Sequence, residues 1–334
     1  MSNRRANAVL FGFDFQVNAA IVLMLENIKE LDSLRLEGNH EDIELKLTDE
    51  TYILAQAKAV EDSSSDFRNV RSNMKKALTS LSEGAEKVNV KKLIFITNSP
   101  NPFNDDESRS IFWGPAQRDY STLPPSAKKI VDDYLENIDN PLDPNEFMIQ
   151  VLPFETDNDV ERYKAVMLAI DNFIGSLNIN IPGLGNKLLE IWHRDIFTNG
   201  TKKDAEIKLN KKNIIWPILV ITTDIHQSDE EFLEQFDPSV YDEIVNRYSE
   251  TINTCCERIE FFTKVLYDYN LFKGKQPPSK RGLEFVDACW QNYSHEFSVN
   301  GIDNETLEGL TKIIVYNIIR RRLSIDKIKR GVAL

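Results

Sequence analysis

The hydrophobic positions change their period several times along the chain, and each change marks an expected element. Residues 15–31, FQVNAAIVLMLENIKEL, are rich in Ala, Leu and Ile and predict a largely buried helix. Three short strand-like pieces follow: SLRLEG at 33–38, DIELKL at 42–47 and TYILAQAKAV at 51–60. In the second, Ile43, Leu45 and Leu47 alternate with Glu44 and Lys46, so one face meets a core. Thr48, Asp49 and Glu50 make a short polar break that suits a hairpin. From 66 to 82 the period lengthens: Phe67, Val70, Met74, Ala77, Leu78 and Leu81 recur at helical spacing, with Ser63 to Asp66 as capping candidates. KKLIFITNS at 91–99 predicts a buried strand, and the proline-bearing stretch 100–125 predicts a loop. A helix over about 126–138 and a strand FMIQVLPF at 147–154 follow. This order is that of an α/β sheet with crossover helices.

After about residue 157 the texture turns helical, and NIPGLG at 180–185 reads as a linker. The length of 334 residues exceeds one comfortable core, so two domains are expected, over 1–178 and 179–334. IIWPILVITTD at 214–224 is ambiguous between helix and strand. The longest helical pattern runs from 240 to 272 and suits either an internal core helix or one seam of an oligomer. No apolar run comes near the roughly 20 residues that span a bilayer, so no membrane partner is expected. Three cysteines, Cys255, Cys256 and Cys289, show no framework spacing, which points to reduced thiols in the cytoplasm.

The net charge of −13 argues against a protein that simply coats nucleic acid, because phosphate binding rests on Lys and Arg. A local grip on nucleic acid is compatible with it. On the 66–82 helix, Arg68, Arg71, Lys75 and Lys76 lie largely off the apolar stripe and either contact a DNA backbone or form a solvated face. The run Arg320, Arg321 and Arg322 near the C-terminus either touches an acidic partner or complements a helix end. His40, His193, His226 and His295 lack zinc spacing, and no glycine loop that would cradle a nucleotide is present.

The chemistry-bearing set lies between 37 and 58. Cleaving a phosphodiester needs a hard cation held by oxygen ligands, and a lysine to orient water or offset developing charge. Gln56 and Lys58 are two apart on one strand and so share a face. A hairpin brings Asp42 of the preceding strand toward them, with Glu37 and Glu41 as further carboxylates within reach. Gln56 offers a neutral amide oxygen where a second acid is common, so metal binding is expected to be weaker.

Asp42 followed by Gln56-Ala57-Lys58 resembles the PD-(D/E)xK nuclease signature in its QxK variant. With GFDFQ at 12–16 and EGNHEDIEL at 37–45, the chain over roughly 10–155 resembles the double-stranded DNA endonuclease domain of bacterial anti-phage effectors. Those include the nuclease subunit of Lamassu systems and nucleases of CBASS systems. The resemblance implies a restriction-endonuclease-like domain with a mixed sheet flanked by helices, followed by a mainly α-helical regulatory or oligomerisation domain. It implies Asp42 and Gln56 as ligands of Mg²⁺ or Mn²⁺, Lys58 as the catalytic lysine, Glu37 as an auxiliary catalytic carboxylate and metal ligand, and Gln16 as a helix residue facing the site. It further implies double-stranded DNA as substrate, an SMC-like ATPase and a small accessory subunit as partners, and an active homo-oligomer held inactive until assembly. The rival expectations are a non-catalytic docking subunit on the same fold and a nuclease of RNA.

Overall fold

The computed structural model describes residues 3–222, 230–257, 259–277, 280–297 and 303–334. It forms two compact units, Met1–Pro217 with Val332–Leu334, and Ile218–Gly331. The division falls later than the expected 178/179, because the segment after 178 adds a helix, a strand and the first part of another helix to the first unit.

The first unit begins with α1 (Asn3–Glu26), β1 (Leu31–Leu36), β2 (Ile43–Leu47) and β3 (Tyr52–Lys58). It continues through α2 (Phe67–Ala85), β4 (Val90–Thr97), the short α3 (Asp106–Arg109), β5 (Ala116–Asp119), α4 (Pro125–Leu135) and β6 (Phe147–Val151). Then come α5 (Asp159–Ser176), α6 (Leu184–Gly200), the two-residue β7 (Leu209–Asn210) and the start of α7 (Lys211–Thr222), which runs past the division at Pro217. The strands form one seven-stranded sheet in the order β5-β6-β4-β3-β2-β1-β7. β3, β4 and β6 run parallel, and the remaining pairs are antiparallel. The expected α/β architecture with a mixed sheet therefore holds. The 100–125 segment is not all loop, since β5 pairs with the sheet edge through Ala116 to Asp119. Four residues carrying Gln117, Arg118 and Asp119 have no apolar alternation to announce a strand.

Alternation along β3 sends Leu54, Gln56 and Lys58 to one face. There Leu54 packs with Met74, Leu78 and Leu81 of α2, Val131 of α4, and Phe95 and Phe147 of the neighbouring strands. The start of α2 is fixed by Asp66, whose side chain accepts a hydrogen bond from the Asn69 N–H. The opposite face carries α1, which also packs on α5 and α6. Every residue from Phe15 to Leu25 is buried. Contrary to the sequence expectation, Ala6–Glu26 is long and apolar enough by composition to cross a bilayer. Its all-round apolarity is that of a helix enclosed by sheet and helices.

In the second unit, α8 (Glu230–Leu233), α9 (Pro238–Glu257), α10 (Ile259–Leu271), α11 (Arg281–Cys289) and α12 (Asn304–Val332) share one core. Phe232 stacks on Tyr316 at 3.9 Å between ring centres. The single helix expected over 240–272 is described as α9 and α10, and Tyr248 (φ −116°, ψ 17°) interrupts α9. Residue 258 lies outside the described residues, as do His226 and the side chains of Cys255 and Cys256. The ambiguous stretch at 214–224 belongs to helix α7 as far as Thr222, despite Pro217, and residues 223 and 224 lie outside the described residues. Of the basic run on α12, Arg320 is buried and Arg322 pairs with Asp326 at 3.0 Å.

Arg35 ties α6 and the segment after it to the sheet. Its guanidinium is almost fully buried, at 2% exposure. It donates to the carbonyls of Asn199 (2.7 Å), Lys202 (2.7 Å) and Ile207 (3.1 Å). Asn199 completes the tie by accepting from the Leu36 N–H at 3.1 Å. Arg35→Met leaves these carbonyls without the cationic donor and is expected to cost on the order of 3 kcal/mol. Urea unfolding of the full chain, followed by tryptophan fluorescence, measures it. A wild-type midpoint would remove Arg35 as the anchor.

Candidate active site

The connection between β1 and β2 is folded by local chemistry. β1 ends at Leu36, earlier than expected, because Glu37 takes a left-handed backbone conformation (φ 52°). The Glu37 N–H then donates to the Asp42 carbonyl (2.7 Å) and the Gly38 N–H to that of Glu41 (3.1 Å). The buried Glu44 carboxylate accepts the N–H groups of His40 (2.5 Å) and Glu41 (3.2 Å). A Cβ at position 38 would lie 2.2 Å from the Glu44 carboxyl carbon, so only glycine admits that approach.

This loop delivers Glu41 and Asp42 to the end of β3. Ile43 is the ladder partner of Ala55, which places Asp42 opposite Gln56 and diagonal to Lys58. Lys58 Nζ donates to Asp42 Oδ2 at 2.8 Å. Gln56 Nε2 donates to Glu41 Oε2, to Asp42 Oδ1 (3.2 Å) and to Ser80 Oγ (3.3 Å) on α2. Gly84, whose Cβ would lie 3.0 Å from Leu54 Cδ1 and 3.3 Å from the His40 carbonyl, lets α2 approach this closely. Gln16 of α1 reaches the site from the other side and hydrogen-bonds to Glu37.

Glu41, Asp42, Gln56, Lys58 and Ser80 thus form one hydrogen-bonded group, with Glu37 beside it at the exposed rim. Sequence spacing marked Glu41 only as a spare carboxylate and gave no hint of Ser80. A short polar residue on a helix carries no signal until the helix is docked. Partial desolvation raises the Glu37 carboxyl above its ordinary value, and the Asp42 charge adds to this. Lys58, the Gln16 hydrogen bond and Arg35 act in the opposite sense. Burial pushes Glu41 up to about 7, against the hydrogen bonds of Gln56 and Ser80. Glu41 is 5% exposed, and its Oε1 has no hydrogen-bond partner.

Among the described residues, no three His, Cys, Asp or Glu form a ready-made metal centre. The donor set nevertheless suits a hard cation, being carboxylate oxygens plus an amide that can present its oxygen. In the observed arrangement Gln56 turns its N–H group to both acids.

The α2 cations divide. Arg71 donates to Tyr134 of α4 at 2.9 Å, and Lys75 sits over the same ring at 5.8 Å. Both therefore lean toward α4. Lys76 and Arg68 are exposed, and Lys76 is one turn from Ser80 on nearly the same side of the helix. His40 packs edge-on to Tyr52 (6.4 Å). Separately, Asp14 binds His193 (2.8 Å) and lies 3.6 Å from Arg162, joining α1, α5 and α6.

No protein-family model matches the chain, and no curated protein matches it. Among the solved structures that align are those of an Acinetobacter baumannii Cap4 SAVED/CARF-domain containing receptor. One carries the cyclic trinucleotide 2'3'3'-cAAA, with 14% identity, a TM-score of 0.37, and coverage of 63% of this chain and 45% of that one. The receptor alone aligns with 14% identity, a TM-score of 0.37, and coverage of 63% and 46%. Its 3'3'3'-cAAA complex aligns with 15% identity, a TM-score of 0.37, and coverage of 63% and 44%. The expected kinship with a PD-(D/E)xK nuclease of the Lamassu type does not hold. No family model, of a nuclease or otherwise, matches, and the structures reported above are of SAVED/CARF-domain receptors. The SMC-like ATPase and accessory subunit expected from that kinship lose their ground with it. The aligned part is under half the length of those receptor chains, and at this level of superposition their ligands say nothing about this chain.

Glu41 binds protons between its ordinary carboxyl value, 4.5, and about 7 in the folded chain, where the unfolded chain does not. Its contribution to stability is therefore complete below the lower value and lost as pH rises through the upper one, a loss of about 3 kcal/mol by pH 8. Glu41→Gln keeps the acceptor for Gln56 and removes that loss. Its gain in thermal midpoint over wild type, measured in EDTA, is expected to be larger at pH 8 than at pH 5. An equal gain at both pH values would show that Glu41 does not titrate in this way.

Proposed function

We propose that the first unit is a divalent-metal-dependent hydrolase of phosphodiester bonds in double-stranded DNA. The observation that carries this reading is the convergence of Asp42, Gln56 and Lys58 at the end of β3. Carboxylate, amide and lysine there meet through side-chain hydrogen bonds, Gln56 Nε2 to Asp42 Oδ1 and Lys58 Nζ to Asp42 Oδ2. Asp42 and Gln56 would hold Mg²⁺ or Mn²⁺, Gln56 by turning its amide so that Oε1 replaces Nε2. The bound ion would supply Lewis acidity toward the phosphate and a more acidic water. Lys58, freed from sole pairing with Asp42, would orient that water or offset charge on the phosphate oxygens. Glu37, at the rim, would act as an auxiliary carboxylate, placed by its hydrogen bond from Gln16.

A restrained enzyme is part of the proposal. In the observed arrangement the carboxylates are engaged by Lys58 and Gln56, and the restraint proposed is that activity waits for assembly or a partner. Such restraint suits an unspecific DNA hydrolase in antiviral defence, because its activity would injure its own cell if continuous. The same self-satisfied bonding favours a second reading, a docking subunit without catalysis.

Plasmid DNA incubated with the full chain and Mg²⁺ separates the two. Wild type is expected to nick or linearise DNA, while Lys58→Ala and Asp42→Asn lower the rate by about 10²-fold or more. If all three leave DNA and an RNA duplex intact, also when the chain is oligomerised or joined by partners, the docking reading replaces the enzyme. Cleavage of RNA alone would reassign the substrate.

DNA contact is assigned to Lys76 rather than to Arg71 and Lys75, which lean over Tyr134. Lys76→Glu is expected to weaken binding of unrelated duplex sequences uniformly and to lower the salt slope by about one. Arg71→Ala is expected to leave that slope in place. Fluorescence anisotropy across a salt series reads both, and the opposite ranking would move the DNA track to the α4 side.

A further inference from the structure

We infer that Glu41, rather than Glu37, is the second carboxylate of the cation site, completing a pair with Asp42. This inference rests on the cation reading above and assigns its ligand set. Adjacent residues on a regular strand point to opposite faces. Glu41 and Asp42 escape this because they end the folded 37–42 loop, where Glu44 holds the Glu41 N–H and Asp42 closes back on Glu37. Their carboxylates consequently converge on one donor, Gln56 Nε2.

The remaining oxygen is the informative one. Glu41 Oε1 is buried and has no hydrogen-bond partner, on a side chain only 5% exposed. A buried carboxylate oxygen left unpaired is costly, and such groups persist where a ligand completes them. A hard divalent cation between Glu41 and Asp42 would supply that partner and take the place of the Gln56 amide protons. Glu37 is exposed and served by Gln16, so it carries no comparable vacancy of bonding.

Mn²⁺ binding to the full chain at pH 7.5, measured from the free-ion paramagnetic resonance signal, tests this without reference to activity. Asp42→Asn and Glu41→Gln are each expected to weaken binding on the order of tenfold or more, while Glu37→Gln stays within about threefold of wild type. Thermal unfolding in EDTA confirms that each variant is folded, and Glu41→Asp serves as a shorter carboxylate that restores part of the affinity. Binding that survives Glu41→Gln, or that falls equally in Glu37→Gln, overturns the assignment of Glu41 alone. Failure of wild type to bind millimolar Mn²⁺ overturns the cation reading and this inference together.

Discussion

The buried carboxylate of Glu44 is the constraint on which the site depends. It reaches back from β2 to hold the N–H groups of His40 and Glu41. Position 38 must be glycine for it to do so. Without that anchor the 37–42 connection would be an ordinary solvated turn, free to carry its acids outward. With it, two neighbouring acids face the end of a strand whose own side chains are a buried amide and a half-buried lysine. A charged acceptor satisfying backbone donors is strong enough to hold a left-handed residue such as Glu37 in place.

The electrostatics of the site follow from that placement. Lys58 neutralises Asp42, and Gln56 spreads its N–H group over Glu41 and Asp42. Burial raises both the Glu37 and Glu41 carboxyls, and the neighbouring Asp42 charge adds to it. The group is internally bonded except at the buried Glu41 Oε1.

The hairpin and the β3 pattern of Gln56 and Lys58 were legible because alternation is a local property of a strand. Asp42 was legible for the same reason, since a short polar turn sets its register. Glu41 was visible as an acid but not as a buried one, because nothing in EGNHEDIEL states that its loop folds under α2. Ser80 and the division of the α2 cations were illegible. Arg68, Arg71, Lys75 and Lys76 look alike along the chain, and only the docking of Tyr134 separates them. The resemblance of the QxK pattern to a nuclease family misled for a related reason. Three residues fix a local geometry without fixing the ancestry of the fold around them.

By itself the sequence determined the periodic elements: the apolar α1, the β2–β3 hairpin, the amphipathic α2, the buried β4 and β6, and a helical second half. Those depend on neighbours within a few residues, and side-chain period encodes them directly. Tertiary structure alone decided the edge strands β5 and β7, the attachment of α6 through Arg35, and the division after Pro217. It also decided which carboxylate is buried with an unpaired oxygen. These rest on contacts between segments far apart in the chain, such as Arg35 with Asn199 and Gln56 with Ser80. No local pattern records the desolvation that such contacts impose.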